Sequence, residues 1–289
     1  MSVLSCEQVS YRYPSGGMSD PDYALKNINF TLEEGEFAAL TGRTGSGKST
    51  LLQHLNGLLS PSEGICTYNG TDIHGPEISL KKVRQKAALC FQYPEDQLFA
   101  ETVLEDICFG PMNMGYSRDE CRRKAREAMR LADLSPETES LSPLSLSGGQ
   151  KRRVALAGIL AMEPEFLLLD EPAAGLDREG RKNLFSLLER LNREKNMGIL
   201  LVSHDMDQVA EYARRLILMD KGEILMDGKP RELFAYEDTF RRLGLGLSPA
   251  VSFYHKLKEA GFTGRKDRLP VTLEELTEFI LSQGDLCHV

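Results

Sequence analysis

Residues 42–49 read Gly42-Arg43-Thr44-Gly45-Ser46-Gly47-Lys48-Ser49, a GxxxxGK[ST] pattern with every fixed position filled. Just upstream, Phe37 to Thr41 is a short β-prone run. Downstream, a helix is predicted from near Gly47 to about Leu58, where Ser60-Pro61-Ser62-Glu63-Gly64 stops it. Strand, glycine loop and helix in this order form the context in which the pattern holds phosphate. Glycines at 42, 45 and 47 let successive N–H groups face phosphate oxygens, and the following helix adds its positive end. Lys48 is then expected to bridge the β- and γ-phosphates of a nucleotide, and the Ser49 hydroxyl to ligate Mg2+. Arg43, Thr44, Ser46 and Thr50 complete the expected phosphate contacts. A plain glycine turn is the competing reading of the eight residues alone.

On either side of this loop, residues 3–92 alternate β-rich runs with turns: Cys6 to Tyr13, Lys26 to Leu32, Ile65 to Tyr68 and Ala87 to Gln92, with Asn69-Gly70 as a hairpin turn. Residues 93–146 change to helical character, with Ser117-x-x-Glu120 as a capping box and Pro136 and Pro143 as breakers. Beyond them strand and helix alternate: helix from Gly149 to Ala161, strand Phe166 to Asp170, helix Arg178 to Lys195, strand Ile199 to Val202, helix Met206 to Ala213, strand Leu216 to Met219. Such alternation predicts crossover units and a mostly parallel sheet covered on both faces, an α/β fold. From about Leu247 onward, a Gly- and Pro-containing linker and a Thr272-x-x-Glu275 cap predict a small helical appendage. The expected division is 1–246, with 93–146 inserted, and 247–289.

Two further stretches carry chemistry. The apolar run from Phe166 ends in Asp170 and Glu171, which puts two carboxylates at the sheet edge where phosphates would lie. Alone, such a pair reads as readily as a helix cap or solvated turn. Leu146-Ser147-Gly148-Gly149-Gln150 opens another helix, offering a hydroxyl, unhindered N–H groups and a positive helix end to an anion. The chain thus holds two candidate phosphate sites separated by a helical insert.

Composition bounds the rest. Hydrophobic residues make up 41% and charged residues 27% of 289, ordinary for a globular protein with a sizeable core. A formal charge of -8 without long like-charge blocks offers no broad basic face for nucleic acid or anionic lipid. The longest apolar runs fall far short of the roughly 18 residues of a membrane span, and the first residues lack signal-peptide character, so a cytosolic location is expected. Six cysteines without a CxxC pair point to reduced, mostly buried thiols.

Together the GRTGSGKS and LSGGQ stretches resemble the ATP-binding subunits of ABC transporters, in which each of two subunits closes the other's ATP site. The resemblance implies a P-loop NTPase with a mixed sheet, an antiparallel β subdomain and an inserted helical subdomain. It further implies ATP and Mg2+ as ligands. Asp170 then matches the magnesium-coordinating acid and Glu171 the base that polarises the attacking water. Gln92 matches the glutamine that senses Mg2+ and water, and His204 the switch histidine that contacts the γ-phosphate. Ser147, Gly148, Gly149 and Gln150 would complete the site of a partner subunit. Ala174-Gly175-Leu176-Asp177 resembles the loop that crosses the interface, with Asp177 also placed to cap the next helix; Ala173 replaces a hydroxyl residue common in relatives. Tyr13 fits the adenine-stacking aromatic better than Tyr11, an ordinary strand aromatic being the alternative.

Within the family, Gln92-Tyr93-Pro94-Glu95-Asp96-Gln97-Leu98-Phe99, Phe109-Gly110-Pro111 and the short tail are similar to the ATPases of energy-coupling factor transporters, which take up vitamins or transition-metal ions. His54-Leu55-Asn56-Gly57-Leu58 and Ala157-Gly158-Ile159-Leu160-Ala161-Met162 resemble the second of two related ATPases that pair as a heterodimer. The resemblance implies a transmembrane coupling subunit, a substrate-binding membrane subunit and a peripheral place on the cytoplasmic face of the membrane. Glu95, Asp96 and Glu101 are expected to supply counter-charge to a basic helix of the transmembrane partner. A homodimeric ATPase of a cobalt or nickel importer is the nearest alternative. ABC ATPases acting on DNA are disfavoured because only residues 93–145 separate Gln92 from Leu146, too few for a coiled coil, and translation-factor relatives carry two cassettes per chain.

Overall fold

The computed structural model describes residues 1–14, 23–260 and 268–281. Among the described residues, ten strands form two sheets: β1 (Val3–Tyr11), β2 (Leu25–Glu33), β3 (Phe37–Gly42), β4 (Glu63–Tyr68), β5 (Thr71–Asp72), β6 (Ala87–Cys90), β7 (Phe166–Asp170), β8 (Gly198–Val202), β9 (Arg215–Asp220) and β10 (Glu223–Gly228). The larger sheet has the order β10-β9-β3-β8-β7-β6 and is parallel apart from β10, which runs antiparallel to β9. The smaller sheet, β2-β1-β4-β5, is antiparallel. Its β4–β5 connection is the expected Asn69-Gly70 turn, with φ of +53° and +75°, the left-handed pair that a two-residue hairpin demands.

Alternation along the central strands sorts side chains into two cores. Ala38, Leu40, Phe166, Leu168, Leu200 and Val202 face the antiparallel sheet and the helix Lys48–Leu55. Phe37, Ala39, Leu167, Leu169, Ile199 and Leu201 face the opposite layer, built by the helices Val103–Met114, Arg118–Leu131, Gly148–Leu160 and Arg178–Lys195. Because both faces are dry, β3 and β8 are buried at every position, as a covered parallel sheet requires.

Local chemistry explains where elements stop. The helix after the phosphate loop ends at Leu55 rather than near Leu58, because Gly57 turns left-handed at φ +69° against Ile73 and Leu80. Asn56 then donates its side-chain amide to Ala87 O at 2.5 Å, tying this helix end to β6. Strand β6 stops at Cys90, so Gln92 sits in the following loop and not in the strand. The Ser117 capping box is complete. Gly110 brings the helix Val103–Met114 against Met162, where a Cβ would come within 2.9 Å of Met162 Cγ; the Phe109-Gly110-Pro111 stretch is thus a close-packing feature. The helix Leu80–Lys86 and strand β10 go beyond what the sequence pattern predicts; the latter is exposed on alternate residues and carries weak apolar character.

Helices Pro249–Glu259 and Leu273–Leu281 share a small core of Ala250, Tyr254, Leu276 and Phe279. They are also fastened to the preceding segment: Val251 and Val271 enter the main core, and Arg231 pairs with Glu275 at 2.5 Å. Thr272 caps the last helix through Glu275 N at 3.3 Å, while the Glu275 carboxylate reaches Val271 N instead of closing a capping box. The described cysteines, Cys6, Cys66, Cys90, Cys108 and Cys121, are free and buried; Cys287 lies outside the described residues.

Candidate nucleotide site at the sheet edge

Strands β3, β7 and β8 are parallel neighbours, so their C-terminal ends deliver three loops to one edge: 42–49, 171–177 and 203–205. This is the edge at which open α/β sheets place ligands. In the first loop Gly42 has φ +153° and a Cβ there would lie 2.1 Å from Met219 O; Gly47 has φ +101° and would meet Ala24 O at 2.5 Å. Only glycine fits at either position. Gly47 is the N-cap of the helix Lys48–Leu55, whose first turn contains no acid. Lys48 Nζ lies 2.8 Å from the carbonyl oxygens of both Gly42 and Arg43, over the mouth of the loop.

The acids converge on the same place. The Ser49 hydroxyl stands near enough to the Asp170 carboxylate to favour its charged form, and Glu171 is close enough to act on both Asp170 and Lys48. Burial raises the Asp170 pKa above the ordinary carboxylate value, with the Glu171 charge adding to it and Ser49 and Lys48 opposing. Burial likewise lowers the Lys48 pKa, only partly offset by Glu171 and Asp170. A hydroxyl and a carboxylate in this proximity form a hard oxygen set, which suits Mg2+. Glu171 has φ +46°, a left-handed conformation uncommon outside glycine, and its N–H donates to Val202 O at 3.2 Å. Its Oε1 lies 3.5 Å from His204 Nδ1. Glu171, His204 and Gln92 line one cleft of about 310 Å3 together with Gly175, Arg181 and Gln208.

Tyr13 stands at the rim, 46% exposed, its hydroxyl 3.1 Å from Thr50 Oγ1, whereas Tyr11 is buried edge-on against His54 at 4.7 Å. Asp177 caps the helix Arg178–Lys195, its Oδ1 accepting from Gly180 N at 2.7 Å.

The Ser147–Gln150 turn belongs to another layer. Its helix packs on Val103–Met114 and Arg118–Leu131, not on the phosphate-loop helix, which packs on strands. Ser147 Oγ accepts from Gln150 N at 3.4 Å, Gln150 Oε1 accepts from Ser147 N at 3.0 Å, and Gly148 and Gly149 face open space.

One expectation fails. Glu95 does not project as free counter-charge: it forms a two-armed ion pair with Arg152, Nε to Oε2 at 2.8 Å and Nη2 to Oε1. Arg152 is 5% exposed and also donates to Pro172 O at 3.0 Å and Ala174 O at 2.9 Å. Burial would raise the Glu95 pKa, but hydrogen bonding to Arg152 and its charge outweigh burial and hold it below the ordinary value. Asp96 and Glu101 remain exposed. Arg152 is a residue that sequence reading missed. Its signal, an arginine two positions after Gln150, reads as an ordinary charged helix residue until the loops that it joins are known.

The ABC transporter family model matches residues 25–174. Curated relatives named energy-coupling factor transporter ATP-binding protein EcfA2 align over most of the chain. The one from Caldanaerobacter subterraneus subsp. tengcongensis is 45% identical over 278 residues, 96% of each protein. The one from Clostridium perfringens is 48% identical over 240 residues, 83% of this chain and 84% of the relative. Among solved structures, cbiO1 of Clostridium perfringens, described as part of the ABC transporter complex cbiONQ, superposes with a TM-score of 0.73 at 35% identity, covering 89% of this chain and 98% of that one. The dimeric bacterial ABC transporter cassette MJ0796 gives 0.69 at 32% identity, covering 79% and 99%. The chain belongs to the ABC transporter ATPases, and within them to the ATP-binding proteins of energy-coupling factor transporters.

Proposed function

We propose that this chain binds and hydrolyses ATP on behalf of an energy-coupling factor importer for vitamins or transition-metal ions, paired with a related ATPase and docked on a transmembrane subunit. One observation carries the reading: Lys48, Ser49, Asp170 and Glu171 meet at the C-terminal edge of β3 and β7, beside His204. The N–H groups of residues 43–49 and Lys48 hold the phosphates, and the rim ring of Tyr13 stacks on adenine. Ser49 and Asp170, with Gln92, would hold Mg2+, which would supply charge neutralisation to the phosphates. Glu171 polarises the attacking water, and His204, whose Nδ1 lies 3.5 Å from Glu171 Oε1, orients it. Ser147, Gly148 and Gly149 complete the neighbour's site, so that two bound ATP molecules hold the pair closed and hydrolysis reopens it.

The loop after Gln92 forms the membrane-facing side. Phe99 is 66% exposed and stacks edge-on against Phe109, 48% exposed, with centroids 4.9 Å apart; Met112, one helical turn on from Phe109, is 51% exposed. An apolar cluster of this kind beside exposed Asp96 and Glu101 suits a basic amphipathic helix. Pairing with a related, non-identical ATPase is supported by the resemblance of residues 54–58 and 157–162 to the second of two such subunits.

The test is Glu171→Gln in the membrane-assembled complex. ATP binding is expected to persist while turnover at this site falls at least about a hundredfold. Wild-type turnover removes Glu171 from the base role. Mass spectrometry of the chains that copurify from membranes checks the pairing, and a single ATPase species would overturn the heterodimer.

A further inference from the structure

A closed path of contacts surrounds the cleft. From Glu171 the chain turns back on itself, Ala174 N donating to Glu171 O at 3.1 Å and Leu176 N to Ala173 O at 3.2 Å. Arg181, on the first turn of the helix Arg178–Lys195, donates Nε–H to Leu176 O at 3.0 Å, and its Nη1 lies 3.6 Å from Asp205 Oδ2. Asp205 is held from its other side: Oδ1 accepts from Asp207 N at 3.1 Å and Gln208 N at 3.4 Å, while Asp205 N donates to Ser203 Oγ at 3.1 Å. His204, between these fixed neighbours, returns to Glu171 at 3.5 Å.

We propose that Arg181 is a positioning residue for hydrolysis: it ties the 173–177 loop to the His204 loop, so that a subunit pressing on the former sets the alignment of His204 with Glu171. The inference rests on the ATPase reading and adds to it the side chain through which the neighbour's contact reaches the water-activating pair. Two features argue for it. A guanidinium presents several donors in a rigid fork, which lets one group grip a carbonyl and a carboxylate at once. Glu171 is held at φ +46°, and a non-glycine residue stays in that region only where its surroundings over-determine it. Stability is not the purpose, since an ion pair with side chains 48% and 31% exposed contributes little.

The experiment measures ATPase activity of the assembled complex with Arg181→Ala, Arg181→Lys, Asp205→Asn and the double variant Arg181→Ala/Asp205→Asn. Asparagine keeps the helix cap and removes the charge. Expected are a roughly tenfold lower kcat for Arg181→Ala with KM for ATP within about twofold, a similar direction for Asp205→Asn, partial recovery in Arg181→Lys, and a double variant no slower than the slower single. Unchanged kcat in Arg181→Ala, a rise in KM alone, or single losses that multiply in the double would overturn the proposal. Glu171→Gln runs alongside: if it is inactive while Arg181→Ala is normal, only the positioning role fails. If Glu171→Gln turns over normally, the catalytic reading fails and takes the positioning role with it.

Discussion

Two helix starts in this molecule share one cap geometry and differ in the residues of their first turn. Ser117 and Ser147 each close a complete capping box, with Glu120 and Gln150 reaching back to the cap N–H. After Ser117 come Arg118, Asp119 and Glu120, and the first turn carries two acids. After Ser147 come two glycines and a neutral glutamine, with no acid in the first turn. Both arrangements satisfy the orphan N–H groups, but only the second leaves the positive helix end open to an incoming anion. The helix Lys48–Leu55 obeys the same rule, with Gly47 as cap and no acid in its first turn. Capping alone therefore marks a helix start, and a first turn free of acid with glycine at or beside the cap is what the proposed phosphate sites share.

The largest expected effect comes from erasing that difference. Gly148→Arg with Gly149→Asp copies the 118–119 pair onto the second helix. The helix should be retained and its stability unchanged or raised by up to about 1 kcal/mol, because glycine is a poor helix former. ATPase activity of the assembled complex should nonetheless fall about a thousandfold, some 4 kcal/mol of barrier. Calorimetry and turnover on the same sample separate the two effects, and activity within about tenfold of wild type would refute the distinction between the two helix starts.

Next in size is the anchor behind the second turn. Glu95→Ala leaves Arg152, 5% exposed, without its carboxylate and should cost about 3 kcal/mol in urea unfolding, whereas Asp96→Ala at an exposed site should stay within about 0.5 kcal/mol. The effect depends on pH in a definite sense. The folded-state pKa of Glu95 is depressed, so its contribution is present above the unfolded carboxylate value and is lost as pH falls through the folded one. The stability gap between wild type and Glu95→Gln should accordingly close on acidification; a gap that widens there contradicts the pairing.

The smallest effects separate the two serines themselves. Ser147→Ala and Ser117→Ala should each cost about 1 kcal/mol of stability through loss of the cap. Only Ser147→Ala should also slow hydrolysis, by roughly tenfold, since its hydroxyl faces the neighbour's γ-phosphate in the proposed closed pair. Equal kinetic effects would mean that both caps are merely structural.

Much of this architecture is legible along the chain because it is governed by neighbours in sequence. The glycines at 42 and 47, the acids closing β7, the Asn69-Gly70 turn and the Ser117 box each depend on backbone conformation within a few residues. Strand β10 is not, because at the sheet border alternate residues face solvent and the apolar signal fades. Glu95 misleads for the opposite reason: an acid in a polar loop looks solvated, and the arginine that claims it lies 57 positions further on.

The α/β class, the phosphate loop and the acid-free, glycine-bearing helix start at Ser147 are written in the residues alone, since periodicity, glycine conformation and helix capping are short-range properties. It took the folded arrangement to bring Gln92, Glu171, His204 and Arg181 into one cleft and to let Arg152 join the Glu95 loop to the loop after β7. Those contacts arise from the order β3-β8-β7-β6 and its parallel register, which bring distant loops to one edge. That order is set by how whole layers bury their apolar faces, and no local stretch of residues specifies it.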